Sequence, residues 1–392
     1  MDTYTNIIDA FLLVNNINIQ SLSESAQQRV LIQLGLPKRT GGFGLVDPVS
    51  HIDLTRLSVL LRALPLALKE FDSATPALPE LNLVCDRLKQ TPGIVDPLLL
   101  AQLTEIQDIN NRDRIIDLMP DVYLSVPKRF KALIFKIKNT HWKMKCNMES
   151  LTQAETIRSI ESPEAGLPLS VDPRVHPMHD NVWVLYCKMR LQVPLVVPNT
   201  QCSRCGQVVD ENLQHPMRCV KVGRNSVHHP ISKFISGHLT DTLRHTASAV
   251  HYEMNMSHMT TQACDKINPR VDVAIRNPIT QSNVIIDFTF PIISAEATED
   301  KSTVALAEER KVSWYDHNIV YKPEYELVPG PIDTYGRMGD KLRVFLKKLA
   351  KQSTSSTSAY NQEVYNIRAA IAVMHRRVIA LQQITFLNES CC

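Results

Sequence analysis

A mixed α/β fold is what this sequence predicts, and three changes of pattern along it carry the expectation. Residues 1–120 place apolar side chains at helical spacing, as in RLSVLLRALPLALKEF. Between 249 and 290 the pattern changes to short β-branched segments, AVHYEM, RVDVAI and NVIIDFTF, parted by polar or Pro/Asn-containing stretches. Helical spacing then returns. The order helix, strands, helix, strand, helix describes a mixed α/β unit of about 100 residues.

Taken in order, the first 120 residues are expected to be mostly helical, with Pro65 breaking the longest run. Within them, LPKRTGGFGLVDP (36–48) reads as a tight glycine turn. No Gly-Lys-Ser/Thr follows it, which excludes a P-loop. Residues 128–145, KRFKALIFKIKNTHWKMK, carry seven Lys or Arg and no acid, interleaved with Phe130, Phe135 and Trp142. That pattern suits phosphate contact with base stacking, or else a solvated amphipathic helix. Six prolines over 161–199 suggest a linker holding one short helix, NVWVLYCKMRLQV. HPISKFISGHLTDTLRHTA reads as a helix, and SAEATEDKSTVALAEERKVSWYDH as a long one. NIVYKPEYELVP should form one or two strands, GDKLRVFLKKLAKQ an amphipathic basic helix, STSSTS a flexible break and 360–386 a last helix.

A length of 392 residues suffices for two or three domains. A net charge of +3 is too small to argue for nucleic acid by itself, so any basic surface must be local. Cys85, Cys146, Cys187 and Cys264 are scattered, and Cys391 and Cys392 end the sequence. This is the usage of reduced, intracellular thiols, nuclear or cytoplasmic, rather than of a disulfide framework. The opening MDTYTNIIDAFLLVNN lacks the basic start and cleavage site of a signal peptide, and no apolar run reaches membrane-spanning length.

The remaining three cysteines fall in CSRCGQVVDENLQHPMRC. Cys202, Cys205, His215 and Cys219 stand as Cys-x2-Cys, then His-x3-Cys, a spacing suited to tetrahedral Zn²⁺. So polar a loop has little apolar surface to bury, and the metal is expected to supply its folding energy, on the order of 10 kcal/mol.

Downstream, Asp272 in RVDVAI and Asp287 in NVIIDFTF are acids within apolar strands, a costly placement unless a metal or a lysine pairs them. The other reading puts both on a solvent face or at strand ends. By alternation Asp287 and Thr289 share a strand face. Glu308 and Lys311 share a helix face, where a surface pair is the plain alternative. Two carboxylates suit Mg²⁺ or Mn²⁺ completed by water and phosphate, and a lysine suits the charge that develops in phosphodiester hydrolysis. Glu253 is a further acid at the start of the strand region. His228 and His229 are candidates for phosphate contact or for an approach to the zinc, or else a helix N-terminal pair before Pro230.

These residues together resemble the C-terminal part of a non-LTR (LINE-type) retrotransposon polyprotein over nearly the full length. LPKRTGGFGLVDP resembles the start of a reverse-transcriptase thumb, and NVWVLYCKMRLQVPLVVPNTQCSRCG the helix leading into a CCHC zinc knuckle. The segment Arg270–Asp272, IIDFTFP, the A-E-x-x-K-x-x-x-Y pattern of Ala307–Tyr315 and VPGPIDTYG resemble a restriction-like endonuclease of PD-(D/E)XK fold. The resemblance implies a thumb-like region at 1–120, a basic segment and linker at 121–198, a knuckle at 199–225, a nuclease at 226–352, and a break with a final helix at 353–392. It implies that Asp272 and Asp287 bind the catalytic metal and that Lys311, followed by Tyr315, replaces the lysine missing at Thr289. Three further departures are Pro269, which is not adjacent to Asp272, Leu213 in place of a knuckle glycine, and His228 where arginine is frequent. No polymerase palm motif is present.

The expected function is a metal-dependent DNA endonuclease that nicks target DNA for retrotransposition, with structural zinc and with DNA and element RNA as partners. A non-catalytic nucleic-acid-binding module on a degenerate nuclease fold is the alternative. A decayed reading frame is a third possibility.

Overall fold

The computed structural model describes residues 3–45, 49–70, 77–90, 100–101, 104, 128–129, 131–140, 142, 151–219, 221, 225–244, 246, 248–256, 260–262, 270–276, 283–298, 300–318, 320–321, 325–354 and 356–390. The chain is mixed α/β and divides into two compact units. The first comprises residues 1–10, 31–37 and 42–145, and the second residues 11–30, 38–41 and 146–392.

The N-terminal region is helical: α1 (Thr3–Val14), α2 (Glu24–Gly35), α3 (Val49–Glu70) and α4 (Ala77–Lys89). Helix α3 runs through Pro65, contrary to expectation. A proline removes one intrahelical hydrogen bond, and α3 retains its packing against α4. The glycine turn is tight as expected, with Gly41 and Gly44 at φ +89° and +77°, values that favour a residue without Cβ. Val46, Asp47 and Pro48 lie outside the described residues.

Residues 131–140 of the basic stretch are helical, with Ile134 buried and Lys131 and Lys136 exposed. Trp142 is fully buried, so its ring is core and not a base-stacking surface. Phe130 and residues 143–145 lie outside the described residues.

In the second unit, residues 151–199 are packed rather than linker-like. They hold α5 (Leu151–Ile160) and α6 (Asp180–Arg190). Buried Glu155, Glu164 and Arg190 are tied to partners distant in sequence: Glu155 accepts from the Thr303 N–H at 2.5 Å, and Glu164 pairs with Arg368. Arg190 donates to the carbonyls of Ile160 and Ala165 at 3.2 and 3.0 Å. Prolines set φ and remove donors without requiring exposure, so proline density alone misread this region.

Next come α7 (His215–Arg218) and α8 (Asn225–Thr242), which begins five residues before Pro230. The strands are β1 (Ala249–Asn255), β2 (Thr260–Gln262), β3 (Arg270–Arg276), β4 (Asn283–Thr289), β5 (Val320–Tyr321) and β6 (Tyr325–Pro331). Four of them form a sheet in the order β1-β3-β4-β6, and β2 pairs with β5. β3 runs antiparallel to both of its neighbours, β1 and β4, while β4 and β6 are parallel. A parallel pair needs a crossover, and α9 (Thr303–Asn318) supplies it. This helix starts later than its composition suggests, at Ser302, whose hydroxyl accepts from the Ala305 N–H at 3.3 Å as an N-cap does.

Helix α10 (Asp340–Ser353) follows, and α11 (Thr357–Ser390) closes the chain. The α10 N-cap is Gly339, which has no side chain to offer. Glu308 of α9 accepts from the Lys341 N–H at 3.0 Å instead, so it caps a neighbouring helix rather than pairing with Lys311. A Cβ on residue 339 would collide with that carboxylate. Helix α8 lies against β1, β3 and β4 and against α11. Among the described residues no helix is long and apolar enough to cross a membrane.

Candidate functional site

Two side-chain clusters bring expected site residues together. The first is built by strand register. The β3–β4 ladder pairs Ala274 with Ile285 and Val273 with Ile286. Continuing that register one residue past Val273 and Ile286 sets Asp272 and Asp287 side by side, and the Asp272 carboxylate reaches the Phe288 N–H. Both residues are only 8% exposed, so both carboxylates need partners.

Each has them. Asp287 Oδ2 accepts from Lys311 Nζ at 2.5 Å and from the Tyr315 hydroxyl at 2.7 Å. Lys311 and Tyr315 stand one helical turn apart on α9, hence on one side of it. Asp272 Oδ2 accepts from the Phe288 N–H at 2.6 Å, with His228 Nε2 of α8 3.3 Å away. The same ring nitrogen lies 3.3 Å from the Phe288 carbonyl.

The electrostatics follow from burial. Desolvation raises the Asp287 carboxyl above the ordinary range, and Lys311 and Tyr315 pull against it. Burial alone would lower the His228 imidazole, but its hydrogen bond to Asp272 and that residue's charge outweigh burial and raise it. One donor atom each from His228, Asp272 and Asp287 falls within 4.8 Å of the others, a spacing able to hold a cation.

Glu253 stands apart from this trio. It accepts from His229 Nδ1 at 2.9 Å and sits at φ +50°, in the left-handed region. His228 reads in the sequence as a phosphate contact, a neighbour of the zinc or a helix N-terminal residue, not as a partner of the two aspartates. It lies 44 positions before Asp272, and only the crossing of α8 over the sheet joins them. The one available signal was a histidine pair inside an amphipathic helix.

The second cluster is the Cys-x2-Cys and His-x3-Cys set. Cys202, Cys205, His215 and Cys219 each offer a ligand atom within 4.8 Å of the others, so they can hold one metal ion, compatibly with structural zinc. Cys202 Sγ and Cys219 Sγ are 3.9 Å apart, and Cys205 Sγ is 3.3 Å from His215 Nε2. Gly206, at φ +73°, turns the chain so that its N–H reaches the Cys202 carbonyl at 2.8 Å. Asp210 accepts from the N–H groups of Gln214 and His215 at 2.9 and 2.7 Å and so fixes the start of α7. Leu213 adopts φ +52°, a conformation that suits glycine, yet its side chain is fully buried.

That burial corrects the expectation of a loop without a core. Cys202, Val209, Leu213 and Cys219 pack with Phe386 of α11, and Leu387 lies alongside. Arg204 bonds Glu389 at 2.7 Å, and Gln383 donates to the Leu213 carbonyl at 3.2 Å. Apolar packing against α11 therefore stabilises the loop in addition to any metal ion the four side chains hold.

Compared with known proteins, the chain matches no family model and no curated protein.

Proposed function

We propose that the chain is a metal-dependent DNA endonuclease of the restriction-like type, related to the C-terminal part of non-LTR retrotransposon polyproteins. The observation that carries this reading is the convergence of Asp272, Asp287 and Lys311 on adjacent strands and the crossover helix. An acid pair on two strands with a lysine beside it has the donor set for phosphodiester hydrolysis. The motif resemblance over Ala307–Tyr315 names the same lysine.

In this reading Asp272 and Asp287 hold Mg²⁺ or Mn²⁺, which supplies a Lewis acid at the phosphate. Tyr315 fixes the orientation of Asp287 through its hydroxyl. Lys311 offers its charge where negative charge develops, in place of the lysine missing at Thr289. The Cys202–Cys219 loop, with zinc, and the lysines of the 128–145 stretch would contact DNA or RNA phosphates.

A non-catalytic binding module is the second reading, favoured by Thr289 and by the closed Lys311–Asp287 ion pair. Nicking of supercoiled plasmid with Mg²⁺ or Mn²⁺ separates the two. Nicking by the parent that is lost in both Asp287→Ala and Lys311→Ala supports the nuclease. No nicking by the parent, with salt-sensitive DNA binding retained, supports the binding module.

A further inference from the structure

His228 completes a mixed-donor set. Its Nε2 lies 3.3 Å from Asp272 Oδ2, and its donor atom falls within 4.8 Å of those offered by Asp272 and Asp287. The three groups come from three elements, α8, β3 and β4, so their spacing is set by packed backbone rather than by one mobile loop. The ring is held as well, edge-on to Phe290 at 5.7 Å between centroids and 74° between planes. Lys311 and Tyr315 both bond the same oxygen of Asp287, Oδ2, and so fix the orientation of its carboxylate.

The chemistry of this set differs from that of a carboxylate pair alone. Mg²⁺ takes oxygen ligands, keeps several waters and is held through one or two carboxylates. Imidazole is a borderline donor that suits first-row transition cations, whose affinity for nitrogen exceeds that of Mg²⁺. Nε2 lies 3.3 Å from both Asp272 Oδ2 and the Phe288 carbonyl, two acceptors, so a cation would take the place of the proton that Nε2 holds between them. We propose that His228 is the third protein ligand of the Asp272–Asp287 site and that the site selects a first-row transition cation such as Mn²⁺ over Mg²⁺. This rests on the metal-binding role given to the two aspartates above and adds to it the nitrogen donor and the choice of cation.

The test uses the full chain, free of affinity tags and with zinc already loaded at Cys202, Cys205, His215 and Cys219, titrated with Mn²⁺ and separately with Mg²⁺. Calorimetry gives the affinities, and pulsed electron paramagnetic resonance of bound Mn²⁺ reports whether a nitrogen nucleus is coupled to it. The parent is expected to bind one Mn²⁺ with nitrogen coupling, and more tightly than Mg²⁺. His228→Gln should lose the coupling and weaken Mn²⁺ by about tenfold, while Mg²⁺ affinity changes by less than about twofold because its oxygen ligands remain. Mn²⁺ that is bound by the parent and lost in Asp287→Asn, but shows no nitrogen coupling, would overturn the role of His228 and leave the aspartate pair intact. A parent that binds neither cation would overturn both. The nitrogen signal is read on the parent protein, so the test does not depend on how well the variant folds.

Discussion

Replacing Lys311 by methionine isolates the electrostatics of the acid pair. Methionine keeps most of the side-chain volume of lysine, so the change removes a charge rather than opening a cavity. In the parent, Lys311 Nζ lies 2.5 Å from an Asp287 carboxylate that burial already disfavours. Without it, the Tyr315 hydroxyl is the remaining side-chain donor to that oxygen. Breaking a buried pair from one side costs about 3–5 kcal/mol. The side chain of Lys311 retains 27% exposure and that of Asp287 12%, so water recovers part of this and about 1–3 kcal/mol is expected. For a unit of this size about 2 kcal/mol lowers the melting temperature by roughly 4–8 °C.

The pH dependence of that loss has a definite sign. Losing Lys311 raises the folded pKa of Asp287 further above its unfolded value. Protonation then favours the folded state, so the variant is least impaired at low pH and loses stability as pH rises through the folded pKa. Urea unfolding of the parent and of Lys311→Met, without added divalent cations, at several pH values from 4 to 8 measures it. The gap should widen toward neutral pH, and Asp287→Asn added to Lys311→Met should close most of it. A gap independent of pH, or a double variant as unstable as the single one, would refute the reasoning.

Other consequences are as direct. Phe386→Ala should cost about 3–5 kcal/mol by opening the core beneath the cysteine loop and should weaken zinc retention against a chelator, read by a colorimetric zinc assay. Glu308→Ala should cost about 1 kcal/mol through the uncapped N–H of Lys341, seen as a lowered urea midpoint. Burial raises the Asp333 carboxyl to about 6, although Ser159 and the Arg337 N–H favour its charged form. Its folded value exceeds the unfolded one, so its contribution is full below about pH 4 and falls as pH rises through about 6. Asp333→Asn should flatten that segment of the stability profile.

What the sequence disclosed depended on the range of the interaction that decides each feature. Strands β1, β3 and β4 were legible because enrichment in β-branched residues is a local signal, and the pairing of β3 with β4 then brings Asp272 and Asp287 together. The start of α9 was not, because residues 294–302 have ordinary helical composition and a single serine cap at 302 sets the boundary. The run 128–145 showed its charge plainly, but burial of Trp142 is decided by tertiary packing. Glu308 read as half of a surface pair because its partner, a backbone N–H on α10, carries no sequence signature. The pairing of His228 with Asp272 was hidden for the same kind of reason, since nothing within α8 records that Asp272 lies near it.

The docking of the cysteine loop on α11 sets an order of events in folding. The four candidate ligands lie within 18 consecutive residues, so the loop that joins them closes quickly and at small entropic cost. Its apolar side must wait for Phe386 and Glu389, the latter 185 positions beyond Arg204 in the chain. Contacts of such separation form slowly. A metal ion captured early would hold the loop in its final shape through that delay, so that the last helix docks on a surface already made. Refolding in the presence of a chelator should therefore slow the docking of α11 more than the formation of the sheet.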